Sequence, residues 1–525
     1  MEILSIGLAY ILGMVVSIIR LPPLVGYLGA GFLLSILGYS GGETLNEIGH
    51  LGVLFLLFTV GLHLRFKNLW RAEVIGVGAL HLLISSFVFF MIALGFRYTF
   101  TSSVIIAVLL GFSSTVITAK SLESRGELGA YHGRVAIGIL IMQDIIAISL
   151  LAITAGRTPS IWVFSLIALP LLRPILIKAL QLSKVDELLL LYGLLLAIGG
   201  SIIFDFLGLS SELGALTAGA LIAGHKETED LSKKLWGLKE AFLVGFFLEV
   251  GLAGLPSMNE LTFFVTVILL LPVKAILFFA LFIAFKLRAR TAFMSAISLS
   301  SYSEFILIAG VAAASTGFIP NSIVVLFALL VSASYALNAP IITRVEQIWE
   351  RWEKKLLKFE RDVKHPDQQV ISLGGAQFLV VGMGSAGKAA YDYLKEKNLH
   401  AVGLDIDPGR IEANIQDGRR VVYGDAQDPE LWKNVNMQPI KAVILTITNA
   451  DPKILATKLL RKYGYSGEIN TLTMKYDEFQ LLQGAGANAV CLPIMQAGQK
   501  LAELSTDNNL DISHTSIRLE FDAQI

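Results

Sequence analysis

The sequence predicts a polytopic α-helical membrane protein with two broken helices, followed by a cytoplasmic α/β domain of the Rossmann type. Hydrophobic side chains make up 54% of the 525 residues and charged ones 16%, which is too apolar for an ordinary soluble protein. Apolar runs recur up to Ile341, and beyond it the sequence turns abruptly charged. The net charge of +0 and the dispersed basic residues indicate no nucleic-acid partner.

The apolar runs correspond to about thirteen membrane segments, several of them short or interrupted by Gly and Ser. They start near Ile3, Pro23, Ile48, Val74, Val104, Val135, Ile161, Leu188, Leu213, Leu235, Leu261, Ala292 and Ile323. Lys and Arg gather in every second connection, so the positive-inside rule puts the N-terminus outside and the chain after Ile341 in the cytoplasm. The single cysteine, Cys491, suits a reducing compartment. We expect a protein of the inner (plasma) membrane whose first segment is retained as a helix.

Asp144 lies inside the apolar run VAIGILIMQDIIAISLLAIT at 135–154. A carboxylate near the middle of a bilayer costs about 2.5–3.5 kcal/mol on insertion scales, so it persists where it faces protein or a water-filled cavity. The placement predicts that Asp144 binds the transported ion. The alternative is a structural aspartate paired with a neighbouring helix.

Two membrane segments are interrupted in the same manner by small polar residues. The first break holds Ser113, Ser114 and Thr115, and the second holds Ser298, Ser300, Ser301 and Ser303, followed by Glu304. Such breaks at corresponding places in the two halves of a transporter are typical of discontinuous helices, whose unwound carbonyls and dipole ends hold an ion near the midplane. Ser and Thr that bond back to their own helix are the alternative for either run alone.

Lys274 lies deep in the apolar span at 261–285. It is too far from either end to snorkel easily, so we expect it to pair with Asp144, Glu304 or a helix end. A snorkelled lysine is the alternative. No transport role is assigned to Glu249 or Arg173, the other charges in apolar surroundings.

Gln143 occupies the position next to Asp144, where a second carboxylate would allow two protons to be exchanged. An amide can orient Asp144 or line the cation path, but it carries no proton. One H⁺ is therefore expected to exchange for one monovalent cation, in a cycle that moves no net charge. Lys274 is the alternative source of a second proton.

Several strings resemble the Kef branch of the monovalent cation:proton antiporters. They are LPPLVGYLGAGFLL (21–34), LGVLFLLFTVGLHL (51–64), GFSSTVI (111–117), MQDIIAI (142–148), GLSSELGALTAGALIA (208–223), GFFLEVGL (245–252) and SEFILIAG (303–310). The resemblance spans nearly the whole membrane part. His63, Glu249 and Ser303 depart from that family's pattern, where Glu, a small residue and Gly are usual.

The resemblance implies an antiporter fold of inverted repeats that assembles as a homodimer. Helices 1 to 3 and 8 to 10 would form the dimer domain, helices 4 to 6 and 11 to 13 a moving core, and helix 7 the connector. Asp144 would be the carboxylate that exchanges H⁺ for K⁺ (or Na⁺), and Lys274 the core lysine paired with it.

Beyond the membrane part, apolar residues recur at steps of three and four in a charged stretch at 343–369, which predicts an amphipathic helix along the cytoplasmic face or against the next domain. A strand, a glycine loop, a helix and a second strand that ends at Asp405 follow. The glycine loop and the start of its helix are Gly382, Met383, Gly384, Ser385, Ala386 and Gly387. This arrangement predicts a nucleotide phosphate at the helix N-terminus and a ribose at Asp405.

The string VVYGDA, which includes Asp425, resembles the RCK or TrkA-N domains that regulate potassium transport. By that resemblance Asp425 and Ala426 would lie near an adenine, and Thr446 near the distal part of the ligand. AMP or NAD(H) would be the regulatory ligand, and the domain would dimerise. The residues after Met495 are expected to form one more helix and a polar tail.

The predicted organisation is a membrane exchanger domain at 1–345, an amphipathic linker at 346–374, a nucleotide-binding domain at 375–494 and a C-terminal helix and tail at 495–525. We expect a nucleotide-regulated K⁺/H⁺ antiporter and no enzyme. The alternatives are a Na⁺/H⁺ antiporter of the same fold and a potassium channel with the same regulatory domain. A channel would need a selectivity filter, and the sequence has no recognisable one. A membrane-anchored dehydrogenase is a further alternative, but the soluble part leaves no room for a substrate domain.

Overall fold

The computed structural model describes residues 2–18, 23–39, 42–62, 71–154, 160, 166, 168–183, 185–209, 211–225, 227–252, 257–361 and 372–506. The chain divides into two compact units. The membrane unit consists of Met1–Leu122 and Tyr131–Gln368, and the second unit consists of Glu123–Ala130 and Gln369–Ile525. His63, the predicted segment start at Ile161 and the polar tail after Thr506 lie outside the described residues.

The membrane unit is helical throughout its described part. Its helices are α1 (Glu2–Ile18), α2 (Pro23–Ile36), α3 (Glu43–Leu62), α4 (Ala72–Gly95), α5 (Phe100–Gly111), α6 (Thr115–Ser124), α7 (Tyr131–Thr154), α8 (Leu169–Leu182), α9 (Asp186–Phe206), α10 (Ser211–Ile222), α11 (Glu227–Leu252), α12 (Met258–Leu269), α13 (Leu271–Ala284), α14 (Ala289–Ser298), α15 (Phe305–Ser315), α16 (Asn321–Thr343) and α17 (Val345–Leu356). The α6 helix ends in the short segment that belongs to the second unit.

Five helical stretches in the described part are long and apolar enough to cross a membrane. They are Thr44–Leu62, Ala72–Gly95, Asp186–Phe206, Met258–Ala284 and Asn321–Thr343. Shorter apolar helices, among them Phe100–Gly111 and Phe305–Ser315, accompany them. The predicted helical membrane class is confirmed, whereas the number of spans stays a prediction.

Glycines let several of these helices approach closely. A Cβ atom at Gly61 on α3 would lie 2.2 Å from the carbonyl of Leu216 on α10, and one at Gly219 would lie 2.2 Å from the carbonyl of Phe58. Any side chain there would collide with backbone that cannot move away. Small residues at such crossings are how membrane helices gain packing contact without a hydrophobic driving force.

Both predicted helix breaks are present, and they meet. The first half-helix ends at Gly111 and its continuation begins at Thr115, while α14 ends at Ser298 and α15 begins at Phe305. The two unwound stretches touch through an antiparallel bridge between Ser113 and Tyr302. The crossing therefore brings four helix ends to one place, with N–H and C=O groups that find no partner within their own helices.

The predicted amphipathic helix is α17, and it packs against α14. Its buried residues are Val345 and Trp349, and the Trp349 ring lies 5.7 Å from that of Phe293. Arg290 of α14 donates to Glu346 at 2.5 Å. Apolar and ionic contacts thus hold the helix on the membrane unit.

The second unit is a doubly wound parallel sheet. Its strands are β1 (Phe378–Val381), β2 (Ala401–Asp405), β3 (Val421–Tyr423), β4 (Ala442–Leu445), β5 (Glu468–Leu472) and β6 (Ala489–Cys491), alternating with α18 (Ser385–Glu396), α19 (Pro408–Gln416), α20 (Pro429–Asn434), α21 (Ala450–Lys462), α22 (Tyr476–Gly484) and α23 (Pro493–Thr506). The strand order is β3-β2-β1-β4-β5-β6, and all pairs are parallel. This is the dinucleotide-binding order, in which ligands bind where the order reverses between β1 and β4. The predicted Rossmann-type domain is confirmed.

Candidate functional site

A pocket in the membrane unit brings Asp144 together with three of the predicted polar residues, Thr115, Ser303 and Glu304. The rest of its lining is apolar and consists of Leu56, Leu57, Val60, Phe305 and Ile308. The pocket lies between α3 and the two broken helices. It is therefore built from residues far apart in the sequence, held by the crossing of the breaks.

Asp144 has few protein partners although its side chain is 6% exposed. The Thr115 hydroxyl lies 3.1 and 3.3 Å from its two oxygens and donates to the carboxylate. Among the described residues no basic side chain forms an ion pair with Asp144, and the Thr115 contact joins it to the neighbouring helix α6. A carboxylate accepts about four hydrogen bonds, and the Thr115 hydroxyl is the one side-chain donor to Asp144 among the described residues.

Gln143 fixes the first break. Its Oε1 atom accepts from the backbone N–H of Ser113 at 2.9 Å. The Nε2 atom of Gln143 and the hydroxyl of Ser113 are both buried and have no partner in the described part of the chain. Orphaned polar atoms of this kind are usually satisfied by water or a bound ion.

Glu304 accepts two hydroxyl contacts on one oxygen. Its Oε2 atom lies 2.8 Å from the Ser114 hydroxyl and 2.5 Å from that of Tyr335, and these two hydroxyls are 2.8 Å apart. The three groups form a closed triangle that ties the first break, the second break and α16 together. Sequence reasoning placed Ser114 and Glu304 at the site but missed Tyr335.

Lys274 binds helix ends. Its ammonium donates to the carbonyls of Phe112 at 2.6 Å and Ser301 at 3.4 Å, and it lies 4.9 Å from the centre of the Tyr302 ring. The sequence left Asp144, Glu304 and a helix end open as partners of Lys274, and in the structure Lys274 binds the helix ends. The pairing with Asp144 that the resemblance implied is not formed, because the ammonium is held by carbonyls at both breaks.

The remaining predicted serines shape the second break. The Ser301 hydroxyl accepts from the Asn338 amide at 2.7 Å, and the Ser303 hydroxyl accepts from the N–H of Phe305 at 3.1 Å. The second of these bonds satisfies the backbone N–H of the first residue of α15. Ser303 therefore has a structural bond as well as a place on the pocket.

In the second unit, the glycine loop for which the sequence predicts a phosphate lies between β1 and α18. Gly382 has φ +94°, which favours glycine, and a Cβ atom on Gly387 would lie 1.9 Å from the Gly382 carbonyl. A Cβ atom on Gly384 would meet nothing within 4 Å, so the space beside it is open. Ser385 and Ala386 form the exposed first turn of α18, at the helix N-terminus.

Asp405 anchors this loop. Its carboxylate accepts from the N–H of Met383 at 2.6 Å and the N–H of Asp407 at 2.8 Å, and Arg410 lies 3.6 Å away. Two of the roughly four acceptor positions of a carboxylate are thus used by backbone. No further hydrogen bond to this carboxylate is formed within the described residues, and its remaining acceptor positions are where the sequence predicts a ribose.

The three other residues predicted for the nucleotide site make contacts within the domain. The Thr446 hydroxyl donates to the loop, within 2.5 Å of the Gly382 carbonyl, so Thr446 holds β4 to the glycine loop. Asp425 caps the turn to Gln427 at 2.9 Å. Ala426 is buried in the core, and its carbonyl accepts from the Trp432 indole at 2.8 Å.

The short segment Glu123–Ala130 lies at the carboxyl edge of the sheet, within the second unit. A Cβ atom on Gly129 would lie 2.8 Å from the carbonyl of Ile406, directly after β2, and Gln427, after β3, donates to the Arg125 carbonyl at 3.2 Å. The same edge carries the glycine loop. Sequence reasoning did not anticipate this contact.

Comparison with known proteins identifies both parts of the chain. Residues 3–345 match the family model described as sodium/hydrogen exchanger, transmembrane. The chain belongs to the sodium/hydrogen exchanger family. Residues 378–493 of this exchanger match the TrkA-N domain model, which agrees with the strand order of the sheet. A membrane exchanger domain therefore precedes a soluble TrkA-N domain, and its substrates are a cation and H⁺.

Solved structures match the exchanger more weakly. The NAD(P)-binding domain of an exopolyphosphatase-related protein from Archaeoglobus fulgidus is 19% identical and covers 25% of this chain and 97% of its own, with a TM-score of 0.24. The TrkA-N domain of the inner membrane protein ybaL from Escherichia coli is 23% identical, covering 24% and 95%, with a TM-score of 0.22. The GsuK channel bound to NAD is 20% identical, covering 34% and 32%, with a TM-score of 0.23. Scores at this level do not extend the assignment beyond the family matches.

Sequence reasoning missed several polar residues that complete the exchanger's breaks. Asn338 on α16 donates to the hydroxyls of Ser300 and Ser301, and the Thr118 hydroxyl lies 2.7 Å from the Ser298 carbonyl across the crossing. A signal was present, since Tyr335 and Asn338 are polar residues one turn apart in an apolar helix.

Glu249 and Arg173 of the exchanger have local partners. Glu249 accepts from the Asn46 amide at 2.7 Å, and Arg173 donates to the Ala223 carbonyl at 3.1 Å. Neither lines the pocket of Asp144. We assign no transport role to either residue.

Proposed function

We propose that this exchanger moves K⁺ against H⁺ at Asp144, by alternating access of a core domain, under the control of a nucleotide bound to its TrkA-N domain. The observation that carries the proposal is the position of Asp144. It is a buried carboxylate on a pocket, and one hydroxyl is its only side-chain donor among the described residues. Such a group needs a proton or a cation to offset the cost of its burial.

The exchange mechanism follows from competition for this carboxylate. A proton and a cation cannot both neutralise the same oxygen atoms, so binding of one releases the other. The hydroxyls of Thr115 and Ser303 and the carboxylate of Glu304 supply further hard oxygen ligands of the kind that alkali cations take. Exchange at Asp144 alone trades one H⁺ for one monovalent cation and moves no net charge.

The choice of K⁺ rests on the resemblance to Kef-type antiporters, and Na⁺/H⁺ exchange is the alternative. The chain's membership of an exchanger family favours both over a channel. The structure also has carbonyls and hydroxyls around the breaks, whose exact spacing decides between cations. A transport assay with several cations therefore has to choose between the two.

AMP or NAD(H) is the proposed ligand of the TrkA-N domain. Support comes from the open space at Gly384 in front of the N-terminus of α18 and from the spare acceptor positions of Asp405. A phosphate is stabilised by the free N–H groups of a helix N-terminus, and a ribose by a carboxylate at the end of β2.

A continuous stretch of chain connects the proposed nucleotide site with the ion site. The segment Glu123–Ala130 contacts the loops after β2 and β3 and continues directly into α7, which carries Gln143 and Asp144. A nucleotide at this edge can bias the exchange only if it binds two arrangements of the edge unequally. We further propose a homodimer in the inner membrane, with the N-terminus outside and the TrkA-N domain in the cytoplasm.

The test is proton flux in proteoliposomes that contain the full chain, followed with a pH-sensitive dye. K⁺, Na⁺, Rb⁺ and Li⁺ are added separately, and K⁺ and Rb⁺ are expected to dissipate the pH gradient most strongly. Asp144→Asn keeps the size and the Thr115 contact of the side chain, so it should fold normally and lose all exchange. Wild-type rates in that variant would show that the exchanging group lies elsewhere.

A further inference from the structure

The pocket of the exchanger is lined by a second carboxylate, Glu304, in addition to Asp144. Asp144 on α7 and Glu304 before α15 both line it, and α3 contributes only Leu56, Leu57 and Val60. Both acids therefore face one small space with apolar walls. Two negative charges in such a space repel each other and cannot be solvated as in water.

Lys274, the buried lysine near the helix breaks, does not neutralise either acid. Its ammonium donates to the carbonyls of Phe112 and Ser301 and lies over the Tyr302 ring. Those contacts hold the amine at the two helix breaks and make no ion pair with either acid. The remaining titratable neighbour is Tyr335 of α16, whose hydroxyl contacts Glu304. No basic side chain on the elements around the pocket pairs with either acid in the described part of the chain.

The triangle of Ser114, Glu304 and Tyr335 has room for one more proton. It contains three short oxygen contacts, at 2.8, 2.8 and 2.5 Å, but its two hydroxyls supply only two hydrogen atoms. A protonated Glu304 supplies the third, so that each group donates once and accepts once. The triangle uses Oε2 of Glu304 only, which leaves Oε1 as a ligand for a cation.

Resting on the exchange at Asp144 proposed above, we infer that Glu304 is a second exchanging carboxylate, so that two protons leave the pocket when one monovalent cation enters. The O–H bonds of Asp144 and Glu304 break, both protons go to water on the side that the pocket faces, and the two carboxylates bind the cation. Both acids take up protons again when the cation leaves on the other side. Each cycle then moves one net charge, in place of the electroneutral exchange expected from Asp144 alone.

The experiment measures charge movement in proteoliposomes of the full chain. A cation jump on a solid-supported membrane should give a sustained current in the wild type, and a permeant ion such as thiocyanate should accelerate the pH-dye signal by removing the opposing potential. Glu304→Gln removes one of the proposed cation ligands and should slow exchange, but the exchange that Asp144 still supports should give neither the current nor the acceleration. A tenfold cation gradient should be balanced at zero voltage by about half a pH unit in the wild type and about one pH unit in Glu304→Gln.

Two further variants separate the possible results. Tyr335→Phe removes one hydroxyl from the triangle and should keep the two-proton ratio while shifting the pH at which exchange is half-maximal. Asp144→Asn should abolish exchange, and if it does not, the proposed function fails first. A wild type that exchanges at full rate without current, or a Glu304→Gln variant that keeps the current, overturns the role of Glu304 and leaves Asp144 in place. If Glu304→Gln does not fold, the wild-type proton ratio decides alone.

Discussion

Two buried aspartates of this exchanger differ in their hydrogen-bond partners. Asp405 in the TrkA-N domain is 3% exposed and accepts from two backbone N–H groups, at 2.6 and 2.8 Å. Asp144 in the membrane unit is 6% exposed and has the Thr115 hydroxyl as its one side-chain donor among the described residues. The two carboxylates are similarly buried, but Asp405 has closer hydrogen-bond donors than Asp144.

The difference separates a carboxylate that holds structure from one that exchanges ions. When backbone donors satisfy a carboxylate, its charge is stabilised and it has no need of a proton. When they do not, an external ion must take their place. Removing the charge should accordingly destabilise the fold at Asp405 and leave it nearly unchanged at Asp144. The predictions below test this contrast, beginning with the largest expected effect.

Lys274→Met should be the most damaging substitution in the membrane unit. It removes the donor that bridges the carbonyls of Phe112 and Ser301 at the two breaks, and buried acceptors without donors are costly. We expect a loss of about 2–5 kcal/mol, visible as a lower melting temperature in detergent. The control is Lys178→Met on α8, where the lysine is exposed. Equal melting of the two variants would contradict the bridging role.

Asp405→Asn should destabilise the TrkA-N domain by about 1–3 kcal/mol. The new amide NH₂ group would replace one carboxylate oxygen, so one of the two backbone N–H groups that Asp405 accepts from would lose its acceptor. Hydrogen exchange of the full chain, measured by mass spectrometry, should accelerate in peptides that cover β1, the glycine loop and β2. Asp144→Asn is the matched substitution, and its peptides in α7 should keep their protection. If both variants lost protection equally, satisfaction by donors would not be what distinguishes the two carboxylates.

The extent to which sequence anticipated these two sites also differs. The glycine loop and Asp405 follow each other within one βαβ unit, so local spacing predicts their roles. The pocket of Asp144 depends on contacts between distant helices. Sequence marked Thr115 and Glu304 as polar residues in membrane segments. It could not rank the partners of Lys274 or show that Tyr335 contacts Glu304, since periodicity says nothing about which helices cross.

Gly384→Ala should weaken nucleotide binding without affecting the unliganded fold. The added methyl group meets no protein atom within 4 Å, so it enters only the space in which a phosphate is expected. We expect at least about a tenfold rise in Kd for AMP or NADH, equivalent to about 1.4 kcal/mol, and loss of the nucleotide dependence of exchange. Calorimetry on the full chain measures the first effect, and Gly484→Ala, whose methyl group also meets nothing within 4 Å, is the control. Unchanged affinity would place the phosphate elsewhere.

The smallest effect is expected at the surface of the TrkA-N domain, where Arg419 donates to both oxygens of Asp392 at 2.8 Å. The hydrogen bond from Arg419 lowers the pKa of Asp392, so the pair stabilises the folded state above the unfolded pKa of about 3.9, and the contribution disappears as pH falls through the folded value. Because Asp392 is partly exposed, Asp392→Asn should cost only about 0.5–1 kcal/mol at pH 7.

Hydrogen exchange of α18, corrected for the intrinsic effect of pH, measures this difference. Wild type and Asp392→Asn should differ most at neutral pH and converge as pH falls from about 5 to 3. The control is Glu412→Gln on α19, an exposed carboxylate for which no pH-dependent difference is expected. A difference that stays constant down to pH 3 would mean that the asparagine perturbs packing, because an effect of the charge has to vanish once Asp392 is protonated.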